Sequence, residues 1–209
     1  MATATSSRRR GGRVLAALIG AASLAAAASV VAVTALAAPA HTAHPAQAGF
    51  PAFAPGTAPA TWRQLRLPNG SAVLSYPRSL RPVRGDSDAV SVARVSPHGA
   101  YQLYINATPR QGEERLAGWA AFRLRLLRSD DATTAHEVAA AQDVRFHGGT
   151  GSCVMDSYIT RIHANHFEEI ACLVQGSSAA SVIVAAAPAV HWAQARPLLL
   201  RAVAAYQVR

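Results

Sequence analysis

From Val14 to Ala37 the chain runs 24 residues without a charge, and four arginines, Arg8, Arg9, Arg10 and Arg13, stand just before that run. Coiled as a helix at about 1.5 Å per residue, it is long enough to cross a hydrocarbon layer of roughly 30 Å. Basic flanks stay on the cytoplasmic side, and no further basic residue occurs until Arg63. Residues 1–13 are therefore expected inside and everything after residue 37 outside. The run also has the make-up of a signal peptide, because it is mostly alanine and ends in Ala35-Leu36-Ala37, a small-x-small cleavage sequence. Two outcomes stay open: a single-pass membrane anchor, favoured by length, and a secreted protein cut near Ala37. No Cys directly follows the run, which excludes a lipid-modified N-terminus. Ser7-Arg8-Arg9 is followed by Arg10-Gly11-Gly12, without the apolar residues of a twin-arginine signal.

Residues 38–60 carry Pro39, Pro45, Pro51, Pro55 and Pro59 among Ala, Gly and Thr, the composition of an extended linker. His41 and His44 in this linker are too few for a stable metal site and read as solvated. The remaining residues, 61–209, have the size of one domain and enough Leu, Ile, Val and aromatic residues for a core. The net charge of +9 is no nucleic-acid signature: four charges belong to the leader, and the other 16 arginines are spread among 11 acids. All 20 basic residues are arginine, which with the alanine runs points to codon bias rather than chemistry.

In the domain, short alternating runs at 62–67, 72–76, 90–95 and 101–107 predict two hairpins, the first around Pro68-Asn69-Gly70 and the second around Pro97-His98-Gly99. The period then changes. From 113 to 128, Leu116, Trp119, Phe122, Leu126 and Leu127 share one helical face, with Glu113 and Glu114 expected in the first turn. Further strands are predicted at 137–146, 152–162, 167–174 and 181–186. A closing helix is predicted over 190–206, with Trp192, Ala195, Leu199, Val203 and Tyr206 in its stripe and a kink or restart at Pro197. Four strands, a helix, four strands and a helix make an α+β fold: an antiparallel sheet covered by two main helices, preceded by an N-terminal hydrophobic helix.

The run from Trp62 through Tyr76-Pro77, the segment Tyr104-Ile105-Asn106-Ala107-Thr108-Pro109-Arg110-Gln111-Gly112-Glu113, and Trp119, Phe122-Arg123 and the last helix resemble exported proteins of uncharacterised function in high-GC Gram-positive bacteria. The element order is similar to the PsbP-like α/β/α sandwich, named for an extrinsic subunit of photosystem II. The resemblance spans about residues 60–209 and implies a fold used for docking and assembly more than for catalysis. It carries over no functional residue.

Cys153 and Cys172 are the only cysteines. Delivery to an oxidising side and placement on two strands around a tip near His163-Ala164-Asn165 make them a disulfide pair. That register also opposes Met155 to Ile170 and Tyr158 to Phe167, and unfavourably Asp156 to Glu169. A catalytic thiol is the lesser reading. Arg123 falls inside the apolar stripe of its helix, so it is either paired internally with an acid or the floor of an anion-binding cleft. Gly148-Gly149-Thr150-Gly151-Ser152 looks like a phosphate loop but lacks Lys and a following helix, and is expected to be a flexible turn. His163 and His166 are expected to be exposed turn residues rather than metal ligands. No catalytic, cofactor or metal motif is found. The expectation is a non-enzymatic domain outside the membrane, tethered through residues 14–37, that binds a protein or envelope component and no nucleic acid; the alternative is a secreted hydrolase with a triad built from distant residues.

Overall fold

The computed structural model describes residues 49–209; the expected leader, anchor and first half of the linker, with His41 and His44, lie outside the described residues. Among the described residues no helix is long and apolar enough to cross a membrane.

Five strands come first: β1 (Arg63–Arg66), β2 (Ala72–Tyr76), β3 (Arg81–Val83), β4 (Val90–Val95) and β5 (Tyr101–Pro109). Helix α1 (Trp119–Asp130) is followed by β6 (Ala132–Phe146), β7 (Gly149–Thr160), β8 (His166–Gly176) and β9 (Ala180–Pro188), then α2 (Ala189–Ala204) and β10 (Gln207–Val208). Seven strands form one antiparallel sheet in the order β3-β4-β5-β9-β8-β7-β6. A three-stranded sheet, β1-β2-β10, lies apart from it in the hydrogen-bonding order.

The large sheet is covered on both faces, and its central strands read accordingly. In β8, Ile170, Cys172 and Val174 point into the core shared with Trp192, Leu199 and Val203 of α2, and with Leu74 and Tyr76 of β2. Their neighbours Ala171 and Leu173 point the other way, onto Trp119 of α1. Ile-Ala-Cys-Leu-Val is thus apolar throughout rather than alternating, as a strand buried on both faces must be. The Trp119 indole N–H donates to the Ala171 carbonyl at 2.9 Å, which seats the start of α1 on the sheet.

Several expected boundaries move. α1 begins at Trp119, not 113, because Gly118 adopts φ 81°, outside the helical region. Glu114 is no first-turn acid; its carboxylate accepts the Gln111 and Gly112 amides ahead of the helix. Leu124, not Leu126, joins Trp119 and Leu127 in burial, and Leu126 is exposed. α2 runs through Pro197 as one helix and stops at Ala204, leaving Tyr206 beyond its end. β3 and β10 were not foreseen, and β6 starts five residues early at Ala132. The linker expected through residue 60 is packed from Phe50 onward: Phe53 meets the Phe146 ring edge-on at 5.6 Å, and the Gly56 amide donates to Ala204.

The glycine-rich segment 148–152 is mostly strand. Only Gly148 (φ 83°) is a turn residue; Gly149, Thr150, Gly151 and Ser152 belong to β7. A side chain on Gly148 would run into the Val208 carbonyl, and one on Gly176 into the Arg209 carbonyl. These glycines let the chain end lie across the ends of β7 and β8, where Val208 donates to His147 and Arg209 to Ser71.

Candidate functional site

Beneath α1 the sheet brings together three ionisable side chains, Asp156 and Glu169 buried and Arg123 half-buried. Arg123 points inward and its Nε and Nη2 both lie 2.7 Å from Glu169 Oε1; the Glu169 side chain is 1% exposed and that of Arg123 15%. Glu169 stands opposite Asp156 in the β7–β8 register. Both oxygens of Asp156 are buried with no hydrogen-bond donor against them among the described residues. Two carboxylates and one guanidinium would leave a net buried negative charge, which a protein avoids by protonation. Burial, and then the Glu169 charge, push Asp156 up to about 9, with Arg123 pulling the other way. A proton on Asp156 removes its charge and supplies a donor to Glu169. For Arg123, burial works against the charge, but Glu169 and then Asp156 outweigh it and its pKa is raised. Of the two readings of Arg123, the geometry gives the internal pair.

Cys153 and Cys172 are bonded as expected, directly opposed across β7 and β8 with Cα atoms 4.1 Å apart, and both are buried. Met155 with Ile170 and Tyr158 with Phe167 take the expected register.

At one end of the large sheet a groove of about 960 Å³ opens between the β4–β5 turn, the β7–β8 tip, the end of α1 and the start of α2. Tyr158 and Phe167 form its half-buried floor, stacked at 5.9 Å and 18°. Burial, with Glu169 next, drives the Tyr158 hydroxyl far above its ordinary range, so it stays protonated. Tyr101 stands on one bank, while Ile162 (72% exposed) and Val190 (86% exposed) project from the others. The tip is fixed rather than loose. Arg161 Nη2 donates to the carbonyls of Arg128 and Ala132, placing a cation on the last turn of α1, where the helix dipole favours it. Thr160 Oγ1 donates to Ile162 and accepts from the Asn165 amide.

His98 lines this groove from the β4–β5 turn, and His163 and His166 from the β7–β8 tip, where His163 is a turn residue as expected but His166 already opens β8. Among the described residues no three His, Cys, Asp or Glu side chains come together in a metal-binding group. His166 Nε2 instead lies 2.7 Å from Ser157 Oγ, and no carboxylate among the described residues hydrogen-bonds the other ring nitrogen. Sequence reasoning missed this groove, because its lining comes from four separate segments; paired aromatics at register positions 158 and 167 were the signal available.

No protein-family model matches the chain, and no curated protein sequence matches it. Its fold does have solved counterparts. The solution structure of cyanobacterial PsbP (CyanoP) from Synechocystis superposes over 74% of this chain and 96% of its own, with TM-score 0.53 at 10% identity. The described domain has a PsbP-like fold. LpqN of Mycobacterium tuberculosis, described as involved in cell envelope biogenesis, matches 70% of this chain and 90% of its own at 12% identity, with TM-score 0.45. A Pseudomonas aeruginosa protein of unknown function, a putative regulator, matches 68% and 94% at 11% identity, also with TM-score 0.45. At those identities the likeness concerns fold alone, and the two lower scores add nothing to it.

Proposed function

We propose that this chain is an exported, membrane-tethered, non-enzymatic domain that docks a segment of a partner protein in the sheet-end groove. The observation that carries the reading is the groove's anatomy: a stacked aromatic floor, two aliphatic side chains projecting into solvent, and a rim of His98, Asp130, Asp131 and Arg161. Aromatic residues at the centre and charged groups at the rim are the usual make-up of a protein interface. Isolated exposed aliphatics are ordinary on a surface, but Ile162 and Val190 flank one concave site. The buried cluster supports the non-enzymatic part, since Arg123 and Glu169, one same-face register pair along from the Tyr158–Phe167 floor, are engaged with each other beneath α1. Tethering follows from the uncharged run at 14–37 and the arginines before it.

A photo-crosslinking residue placed at Ile162 or Val190 on intact cells should capture one discrete protein, and the same residue at Val138, exposed on β6, should not. Equal capture from all three positions, or none, refutes groove docking. The Ser157–His166 contact is what a hydrolase reading would rest on. Labelling of Ser157 by a fluorophosphonate, abolished in Ser157→Ala, would replace the docking reading with an enzyme.

A further inference from the structure

Between residues 61 and 85 the chain has five arginines, Arg63, Arg66, Arg78, Arg81 and Arg84, and no acid, and all five side chains are exposed. The topology gathers them. Among the described residues β1 is an edge of the small sheet and β3 an edge of the large one. The short turn after β2, the strand paired with β1, leads into β3 and makes a corner between the two. Arg63 stands opposite Tyr76, two residues before Arg78. Arg78 Nε donates to the Thr61 carbonyl at 3.0 Å, and Arg81 opens β3. Arg201, from the last turn of α2, lies 5.9 Å over the ring of Trp62, the residue before Arg63 in sequence, and adds a sixth cation. None of the six forms an ion pair among the described residues, where the pair found is Arg123 with Glu169.

Charge on an exposed edge strand guards against edge-to-edge pairing, and that accounts for arginine on β1 and β3. It does not account for a single sign across β1, the turn after β2 and β3, since acids can guard an edge as well; acids enter only with Asp86 and Asp88, exposed in the loop after β3. We propose that this corner is an electrostatic contact for an anionic phospholipid surface. The proposal rests on the tethered reading above, which is also what selects the occupant: a chain anchored through residues 14–37 is confined to a bilayer, and the patch begins at its first strand. Each guanidinium presents a fork of N–H donors that matches a phosphate. Arg63 lies beyond the roughly 15–20 residues after the apolar run within which arginine biases membrane orientation, so the patch does not oppose the expected topology. Attraction of this kind acts within a Debye length and weakens with salt.

The full chain should be incorporated into nanodiscs of phosphatidylcholine, or of phosphatidylcholine with phosphatidylglycerol, and its arginines footprinted with phenylglyoxal by mass spectrometry. Arg63, Arg78 and Arg81 should react at least fivefold more slowly in the anionic discs, Arg145 should not change, and 0.5 M NaCl should remove the difference. In R63E/R81E the protection of Arg78 should vanish while the thermal melt stays put, because glutamate guards the edges as arginine does. Equal reaction in neutral and anionic discs overturns the proposal. So does equal protection by soluble polyphosphate, which would make the ligand a free polyanion. A chain that fails to stay with the discs refutes the tether instead, and footprinting of that chain with anionic vesicles then decides the patch on its own.

Discussion

Replacing Asp156 by asparagine should stabilise the protein at neutral pH, although it deletes a buried acid from a charged cluster. The folded carboxyl is pushed up to about 9, by burial first and Glu169 second, whereas an unfolded aspartate titrates near 3.9. Between about pH 4 and 9 the folded protein therefore holds one proton more than the unfolded chain. With more protons bound when folded, stability falls as pH rises, by about 1.4 kcal/mol per pH unit. At pH 7, about three units above the unfolded value, keeping Asp156 neutral costs about 4 kcal/mol, less whatever local relaxation recovers. Asparagine is neutral in both states, nearly the same shape, and presents an amide N–H to Glu169 where the protonated acid presents its hydroxyl. Urea denaturation of wild type and Asp156→Asn should show a gain of about 2–4 kcal/mol at pH 7 that shrinks to near zero at pH 4. A loss at pH 7, or the same difference at both pH values, would refute the reasoning; it would mean that Asp156 is ionised in the folded protein and held by Arg123.

The same cluster makes Arg123→Met destabilising by about 3–5 kcal/mol at pH 7, because Glu169 is left buried without its cation; denaturant midpoints measure it, and a neutral outcome would return Arg123 to the surface. Replacing Cys153 and Cys172 together by alanine should cost roughly 3 kcal/mol in the chain-entropy model, for a link spanning 19 residues in sequence. Denatured but unreduced protein should label with no thiol reagent, and two reactive thiols would contradict the bond. Gly148→Ala should cost about 2 kcal/mol or more, since it forces a side chain into left-handed backbone and against the Val208 carbonyl; an unchanged urea midpoint would show that the chain end yields freely.

What could be read in the sequence was local. The Cys153–Cys172 hairpin carried agreeing cues, an even cysteine count, expected delivery to an oxidising side and two strand segments flanking a short polar tip, and opposing the two cysteines then sets the register. The start of α1 was misplaced because Glu113 and Glu114 have the composition of a first helical turn, while the deciding residue, Gly118, acts through a backbone angle that composition does not display. β3 and β10, at three and two residues, are too short for any period to show. Segment 148–152 reads as a turn in the sequence because glycine usually marks one. Here the glycines are required by carbonyls of β8 and of residues 208–209, contacts that only the folded chain supplies.

The charged cluster lay between these cases. Two local anomalies were visible beforehand: an arginine inside the apolar stripe of a helix, and two acids facing each other across an otherwise favourable register. Taken singly, each argues against the element that contains it, since an unpaired buried cation and a like-charge pair both destabilise. Taken together they name one another's partner. Glu169 answers Arg123, and the proton that Asp156 must keep answers the remaining repulsion, so the register that seemed weakened by Asp156 and Glu169 is the one that gives Arg123 somewhere to go. Arg123→Met and Asp156→Asn test this from opposite sides, because if the cluster is one unit the first should destabilise and the second stabilise at the same pH.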